Sequence, residues 1–447
     1  MKILHYALGF PPYRSGGLTK FCVDLMVQQA KEGKEVAMLW PGQMGFIKKK
    51  TKVKDRGDVV LKHQKVKSYE IINPLPVSFD EGINDFTAFT TDGDKKIYSE
   101  FLKNYKPDVI HVHTLMGLHK SFLEVAKEQG IRLVFTTHDF FPICPKVTMF
   151  RKGTICEHIK DCSECNVCNV TALGLNKIRI LQSPIYRFMK ESFIVKKLRK
   201  QHRDNYLSEN NADNEVVPVG TSEDYRILRE YYRSMLKLMD IIHYNSSVTK
   251  NVYESMYGKM NREVISITHS DIKDNRHLKS FSNDKLRIRY LGPQSGAKGF
   301  FLLKKALDQL WGEQQNFCLD VHFEPIEKSE YMKVHGRYVY EDLKDIFDET
   351  DVLVVPSIWY ETFGFTVLEA ISYGVPVIVS DTVGAKDILK DNVGMVITDI
   401  NYKKLHEVIQ NLNLEKLREM NKHIVRCQYI MEIEEFCEKA EKKLYNM

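Results

Sequence analysis

Residues 351–381 read DVLVVPSIWYETFGFTVLEAISYGVPVIVSD, and this stretch decides the fold. DVLVVPS is a continuous apolar run bounded by polar residues, which suits a strand buried on both faces of a parallel sheet. IWYETFG follows as a loop at the strand's C-terminal end, the edge where open parallel sheets bind ligands. Gly364 admits close backbone approach there. FTVLEAISY predicts a helix stopped by Gly374 and Pro376, and VPVIVSD the next strand. The helix's first turn carries unpaired N–H groups at a positive dipole end, a ready anion site. Glu361 in the loop and Glu369 in the helix flank it, with seven residues between them. Carboxylates accept hydrogen bonds from vicinal hydroxyls, so the pair suits a nucleotide diphospho-sugar. Two glutamates at a helix entry also serve as a dipole complement and a solvated face; spacing alone leaves the two readings even.

The same strand–loop–helix texture runs outward from this unit. MKILHYAL, EVAMLW, PDVIHVHT, RLVFTTH, IIHYNSS and EVISITH read as strands of one half, with helices over GGLTKFCVDLMVQQAKEG (stopped by Gly33), LHKSFLEVAKEQG and VTKNVYESMYG. LRIRYLG, FCLDVHFE, DVLVVPS and VPVIVSD are strands of the other. The alternation predicts α/β architecture with helix-covered parallel sheets. At 447 residues the chain exceeds one ordinary core and implies two domains. Polar SDIKDNRHLKSFSNDK is the natural linker. The expected boundaries are 1–272, 273–429 and a C-terminal helix over 430–447. A composition of 43% hydrophobic and 28% charged residues, with net charge +6, is an ordinary globular profile and does not by itself indicate nucleic acid. No apolar run reaches the length of a spanning helix, and the N-terminal stretch lacks a signal-peptide pattern. A cytoplasmic enzyme is the expectation.

The ETFGF loop, LEA and GVPVIVSD together form the E-x7-E signature of retaining glycosyltransferases, and the chain resembles glycosyltransferase family four. The match extends through EDLKDIFDETDVLVVPS before the loop and DTVGAKDILKDNVGMVI after it. The resemblance implies two facing Rossmann-like domains, the B-type glycosyltransferase fold, with C-terminal helices returning to the N-terminal domain. It implies a donor nucleotide on the C-terminal domain and an acceptor on the N-terminal one. Glu361 then contacts hydroxyls of the transferred sugar and Glu369 the ribose. Backbone around Phe363, Gly364, Phe365 and Thr366 meets sugar and diphosphate. Lys298, in YLGPQSGAKGFFLLKKAL, matches the family's diphosphate lysine. Gly16 and Gly17, in YRSGGLTKF, match the glycine loop of the facing domain. His138, in VFTTHDFFPICP, matches the histidine beside the transferred sugar, with Asp139 placed to orient it and His113 of HVHT as an acceptor-side candidate. One position departs from the pattern: where the family often has an arginine after the strand's glycine, this chain has Gly292-Pro293.

The resemblance further implies transfer with retained configuration, without a divalent metal or other cofactor, to a glycan or lipid-linked hydroxyl, as in surface polysaccharide or glycolipid synthesis. The alternative is a non-catalytic sugar-nucleotide-binding partner of another transferase. Cys144, Cys156, Cys162, Cys165 and Cys168 crowd into 25 residues. Without an export signal, disulfides are disfavoured, which leaves a structural zinc and reduced thiols as the two readings. Nine Lys or Arg and one acid, Glu191, occupy Lys177–Arg203. That run reads either as a contact with an anionic membrane surface on the inner face of the cell membrane or as a solvated helix face. Nucleic acid is not among the expected partners.

Overall fold

The computed structural model describes residues 1–46, 50–189, 192, 217–281, 285–389 and 392–446. Residues 190, 191 and 193–203 of the basic run lie outside these.

Two helix-covered sheets face each other. The first has strands β1 (Lys2–Tyr6), β2 (Glu35–Pro41), β3 (Lys52–Leu61), β4 (Gln64–Ile72), β5 (Val109–Val112) and β6 (Arg132–Thr136). After a small hairpin of β7 (Phe150–Arg151) and β8 (Thr154–Ile155), β9 (Ile241–Tyr244) and β10 (Arg262–Val264) complete it. The order is β10-β9-β6-β5-β1-β2-β4-β3, parallel except for the β3–β4 pair. The second sheet contains β11 (Leu286–Tyr290), β12 (Phe317–Val321), β13 (Met332–Val334), β14 (Val352–Val355), β15 (Val377–Ser380) and β16 (Gly394–Ile397). Its order is β13-β12-β11-β14-β15-β16, all parallel. In each sheet the order reverses next to the first strand. This is the topological switch at which loops on both sides of a crevice diverge.

Four helices matter for the site: α1 (Gly17–Lys31), α2 (Phe300–Glu313), α3 (Phe365–Ser372) and α4 (Ile433–Ala440). The predicted strand DVLVVPS is β14, buried along most of its length. The predicted FTVLEAISY helix is α3, and Gly374 ends it in the left-handed region at φ +81°.

Two features differ from the sequence expectation. The β3–β4 ribbon was not foreseen, because KVKDRGDVVL is charged and mostly exposed at the sheet edge. It carries no clean apolar alternation to announce a strand. The expected linker is also not free. Its start is held on the first domain, where the Ser270 N–H donates to Asp24 Oδ2 at 3.0 Å, and its middle on the second, where the Asn275 N–H donates to Ser372 O at 2.9 Å and the Arg276 guanidinium to Ile424 O at 2.7 Å.

α4 crosses back onto the first domain. Phe436 meets the Phe21 ring of α1 edge-on at 5.1 Å, and Arg132 of β6 donates to Leu444 O at 2.7 Å. Lys34 pairs with Glu441. Burying Phe436, Cys437, Ala440 and Leu444 completely closes the sheet face over β1, β5 and β6.

Candidate active site

The two sheets turn their strand ends toward a common cleft of about 830 Å³, within the size range of small-molecule sites. The second domain contributes Lys298, Glu361 and the start of α3; the first contributes Arg14, Gly16, Gly17, Lys20 and His138.

Backbone geometry on the second domain is tightly set. Gly299 sits at φ +74°, and a Cβ there would lie 1.8 Å from Pro356 O. Only glycine allows the turn before α2 to pack on the end of β14. Ile358 N–H donates to Ala297 O at 2.9 Å and locks the same two loops. Lys298, one residue before that glycine, is thereby aimed at the β14 loop. Its Nζ lies 2.9 Å from Glu361 Oε1 and 5.1 Å from the Trp359 ring centroid. Ser357 Oγ donates to the same carboxylate oxygen. Gly364, at φ +105°, takes the chain from this loop into α3, whose first-turn N–H groups open the helix at the cleft.

Glu369, one turn along α3, is buried and accepts a hydrogen bond from His269 Nε2 at 3.2 Å. His269 Nδ1 accepts from the Asp271 N–H at 3.3 Å. With Nδ1 an acceptor, Nε2 is the donor and the ring is neutral. Tyr340 and Phe365 stand edge-on to the His269 ring at 5.4 and 5.0 Å. Together they make an aromatic wall beside the glutamate.

The domains touch where the loops meet. A Cβ on Gly17 would come 3.5 Å from the Phe365 ring. Thr362 Oγ1 donates to His138 O at 3.2 Å, and Ser246 Oγ donates to Thr362 O at 2.6 Å. His138 thus stands against the Glu361 loop. Burial, with His243 nearby, pushes its pKa down to about 3.

Glu361, Glu369, Lys298, Phe363, Gly364, Phe365, Thr366, Gly16, Gly17 and His138 all line the one cleft. Two other expected residues are placed differently. Asp139 does not orient His138: it accepts from Thr114 Oγ1 at 2.8 Å and from the Phe141 N–H at 3.0 Å, capping its own turn. Burial pushes its pKa up to about 6. The partner of the His138 ring is His113, at 3.2 Å. That residue is fully buried behind the cleft wall, because residues two apart on one strand face share the same side of the sheet.

Arg14, Lys20, His269 and Tyr340 belong to the site but were not singled out from the sequence. Arg14 was legible in YRSGG, next to the glycines. Its guanidinium packs over the Tyr13 and Phe79 rings at 4.5 and 4.6 Å and donates to Leu8 O at 3.1 Å. It brings a cation to the cleft from the opposite domain, where the second domain has Pro293.

The cysteines lie apart from this chemistry. Arg229 reaches Cys162 Sγ at 2.8 Å and Cys165 Sγ at 3.3 Å and donates to Ile143 O at 2.7 Å. The hydrogen bond from Cys165, with Arg229 beside it, draws the Cys162 pKa down to about 6. Burial pushes Cys144 up to about 11. Among the described residues, the trios of ligand atoms within 4.8 Å of one another are His5, His111, His113; Asp24, His269, Asp271; and Glu32, Cys437, Glu441. A zinc ion at the thiols would require Arg229 to turn away.

Two Rossmann-like domains around a cleft of this make-up define a B-type glycosyltransferase fold. Residues 15–158 match the family described as Glycosyltransferase Family 4 and residues 271–426 match Glycosyl transferases group 1, more than half the chain between them. The chain belongs to these glycosyltransferases. It is 28% identical over 151 residues to an uncharacterized 41.2 kDa protein in the cps region of Klebsiella pneumoniae, covering 32% of this chain and 41% of that protein. It is 43% identical over 53 residues to an uncharacterized glycosyltransferase of Methanocaldococcus jannaschii, covering 12% and 13%. The chain therefore aligns with less than half the length of either relative. Among solved structures, sucrose-phosphate synthase from Thermosynechococcus elongatus superposes with TM-score 0.55 at 13% identity, covering 100% of this chain and 98% of that one. Anabaena HepE in complex with UDP-glucose superposes with TM-score 0.54 at 12% identity, covering 100% of both. These likenesses are of fold.

Proposed function

We propose that the protein transfers a sugar from a nucleotide diphospho-sugar to a hydroxyl of a glycan or lipid-linked acceptor, with retention of configuration. The observation that carries this reading is the convergence of Lys298, Glu361, Glu369 and the α3 start on one cleft wall, with His138 opposite. Glu369 offers its second oxygen to the ribose, and Glu361 holds sugar hydroxyls. Lys298 and the α3 N–H groups hold the diphosphate, and Arg14 adds a cation from the facing domain. In the reaction the bond between the anomeric carbon and the phosphate oxygen breaks. The acceptor oxygen bonds to that carbon on the same face, and its proton passes to the departing phosphate oxygen. Lys298 stabilises the charge growing on the leaving group. None of these roles requires a divalent metal.

A UDP-sugar is the first donor to try, since HepE is described in complex with UDP-glucose. The Klebsiella relative in the cps region supports a surface-polysaccharide setting. A screen of UDP-, GDP- and ADP-sugars by thermal shift and product analysis tests the proposal, because a bound donor stabilises the folded state. Transfer with retained configuration supports it. Donor binding without transfer to any acceptor class would favour the non-catalytic partner instead.

A lipid-linked acceptor is favoured by one surface. Ile180, Ile185, Phe188 and Met189 are exposed, Phe188 to 91%. Arg179 and Arg187 accompany them, and Tyr13 of the cleft-side loop donates to Leu181 O at 3.5 Å. An apolar face with basic residues at the cleft mouth suits the inner, anionic face of a membrane. Among the described residues no helix is long and apolar enough to cross one. Sedimentation with anionic vesicles, lost in Ile185→Glu/Phe188→Glu, checks this. Structural zinc at the cysteines is checked by metal analysis of the purified protein: one equivalent per chain supports it, and none removes it.

A further inference from the structure

Behind His138 the first domain buries an unusual run of polar side chains on one face of its sheet. His5 of β1 is paired in register with His111 of β5, and Thr136 of β6 with His243 of β9. His113 and His138 continue the same face beyond the ends of β5 and β6. All except His138 are fully buried. Against them lie Gln29 of α1 and Tyr445 of the turn after α4.

We infer that a single hydrogen-bonded chain, anchored at the Ile265 carbonyl and passing through Tyr445 and Gln29, fixes His138 as the tautomer with a bare Nδ1 at the cleft. Tyr445 and Gln29 are then positioning residues for the transfer reaction, an assignment that rests on the proposed function of the cleft.

The polarity follows link by link. A carbonyl can only accept, so Ile265 O, 2.8 Å from His243 Nε2, requires a proton on that nitrogen. In a neutral ring His243 Nδ1 is then bare and accepts from Thr136 Oγ1 at 2.9 Å. Thr136 has one proton and has used it, so it accepts from His111 Nε2 at 2.6 Å. His111 Nδ1 is therefore bare and accepts from Tyr445 OH at 2.9 Å. The phenol oxygen, its proton committed, accepts from Gln29 Nε2 at 3.0 Å. This orients the amide, whose Oε1 accepts from His5 Nε2 at 2.7 Å. His5 Nδ1 accepts from His113 Nε2 at 3.0 Å, and His113 Nδ1 from His138 Nε2 at 3.2 Å. Each ring has two nitrogens and one proton, so each link sets the next. Burial favours the neutral rings this requires: it lowers the pKa of His5 and of His243 to about 4 and those of His111 and His113 further.

The chain also accounts for the only all-histidine trio with ligand-like spacing among the described residues. The nitrogens of His5, His111 and His113 lie within 4.8 Å of one another but are already committed to hydrogen bonds. At the open end, His138 Nδ1 has no protein partner among the described residues, so it is available to accept a hydrogen bond from a substrate hydroxyl. A ring this hard to protonate is a hydrogen-bond acceptor and a poor proton carrier, in keeping with the leaving phosphate taking the acceptor's proton.

Long-range ¹H–¹⁵N correlation spectra of the full-length protein with ¹⁵N-labelled histidine test the inference. The His138 signals are assigned by their loss in His138→Asn. Wild type should show His138 protonated on Nε2 alone. Tyr445→Phe and Gln29→Met each remove the link that orients His5, so His138 should become a tautomer mixture. In those variants kcat should fall roughly five- to tenfold, the equivalent of one hydrogen bond, with donor affinity unchanged. Gln29→Glu still accepts from His5 in either protonation state and should keep the wild-type tautomer. A His138 protonated on Nδ1 in wild type, or an unaltered tautomer in a folded Tyr445→Phe or Gln29→Met protein, would overturn the inference. The tautomer is read without substrate. A protein with the expected spectra but no transfer activity would therefore sink the proposed function and spare the hydrogen-bond polarity.

Discussion

The two walls of the cleft are built on opposite principles. On the second domain the functional groups are close in sequence and sit on loops. Glu361, Gly364 and Glu369 belong to one strand–loop–helix unit, and Lys298 and Tyr340 come from outside it. On the first domain one half-buried ring, His138, is backed by a fully buried polar layer drawn from β1, β5, β6, β9, α1 and the turn after α4. A local motif needs only the right backbone turn to place its side chains. A buried polar layer needs every element in register, because each unsatisfied nitrogen in it would cost about 1–3 kcal/mol.

That contrast can be broken on its donor side first. Lys298→Ala should lower the transfer rate by roughly 10²–10³-fold, as for loss of one strong stabiliser of transition-state charge, while the melting temperature barely moves. A rate within a few-fold of wild type would transfer that role to Arg14 and the α3 N–H groups. Gly299→Ala attacks the turn. With Pro356 O 1.8 Å from the new methyl, it should destabilise the protein by about 2–4 kcal/mol, read by denaturant unfolding. A smaller loss would mean that the β14 end yields easily.

Glu369→Ala should weaken nucleotide binding about tenfold or more, since hydrogen bonds to a charged group contribute about 1.5–3 kcal/mol. It also strands His269 Nε2. Unchanged binding by calorimetry would take the ribose away from Glu369.

The histidine side is sharpened by pH. Burial holds His5, His119 and His243 near pKa 4 and His138 near 3, with His111 and His113 also lowered. Unfolded histidine titrates near 6.5. Between about pH 6.5 and 4 the unfolded chain therefore binds more protons, and stability falls as pH falls through that window. Asp139, raised to about 6, works in the opposite direction as a single group. Thermal unfolding should show a steep loss between pH 6.5 and 4.5, shallower in His119→Gln, which lies outside the chain to His138. A flat profile would mean that the buried rings are already charged.

The sequence disclosed these regions unequally. The wall carrying Glu361 and Glu369 was readable because its geometry is local: a doubly buried strand, a glycine turn and a helix start follow from residues within thirty positions of one another. HVHT could be seen to place His111 and His113 on one strand face, since alternation is also local. Their partners could not be seen, because His5, Gln29 and Tyr445 are joined to them only through strand order and through the return of α4. The same limit hid the partners of Asp139: next to His138 along the chain, it accepts from Thr114 beyond β5 and from the Phe141 N–H of its own turn. It also hid β3, whose charged surface obscures its pairing with β4.

By itself the sequence determined the α/β alternation, the family signature and the candidates Glu361, Glu369, Lys298 and His138, which all line the cleft, because apolar period and turn chemistry act over a few residues. The tertiary structure decided that Arg14 enters the cleft from the far domain, that Glu369 is supported by His269, and that Tyr445 stands at the back of the histidine layer. Those placements depend on which strands are neighbours and in what register, a matter of long-range packing free energy that no short stretch of residues encodes.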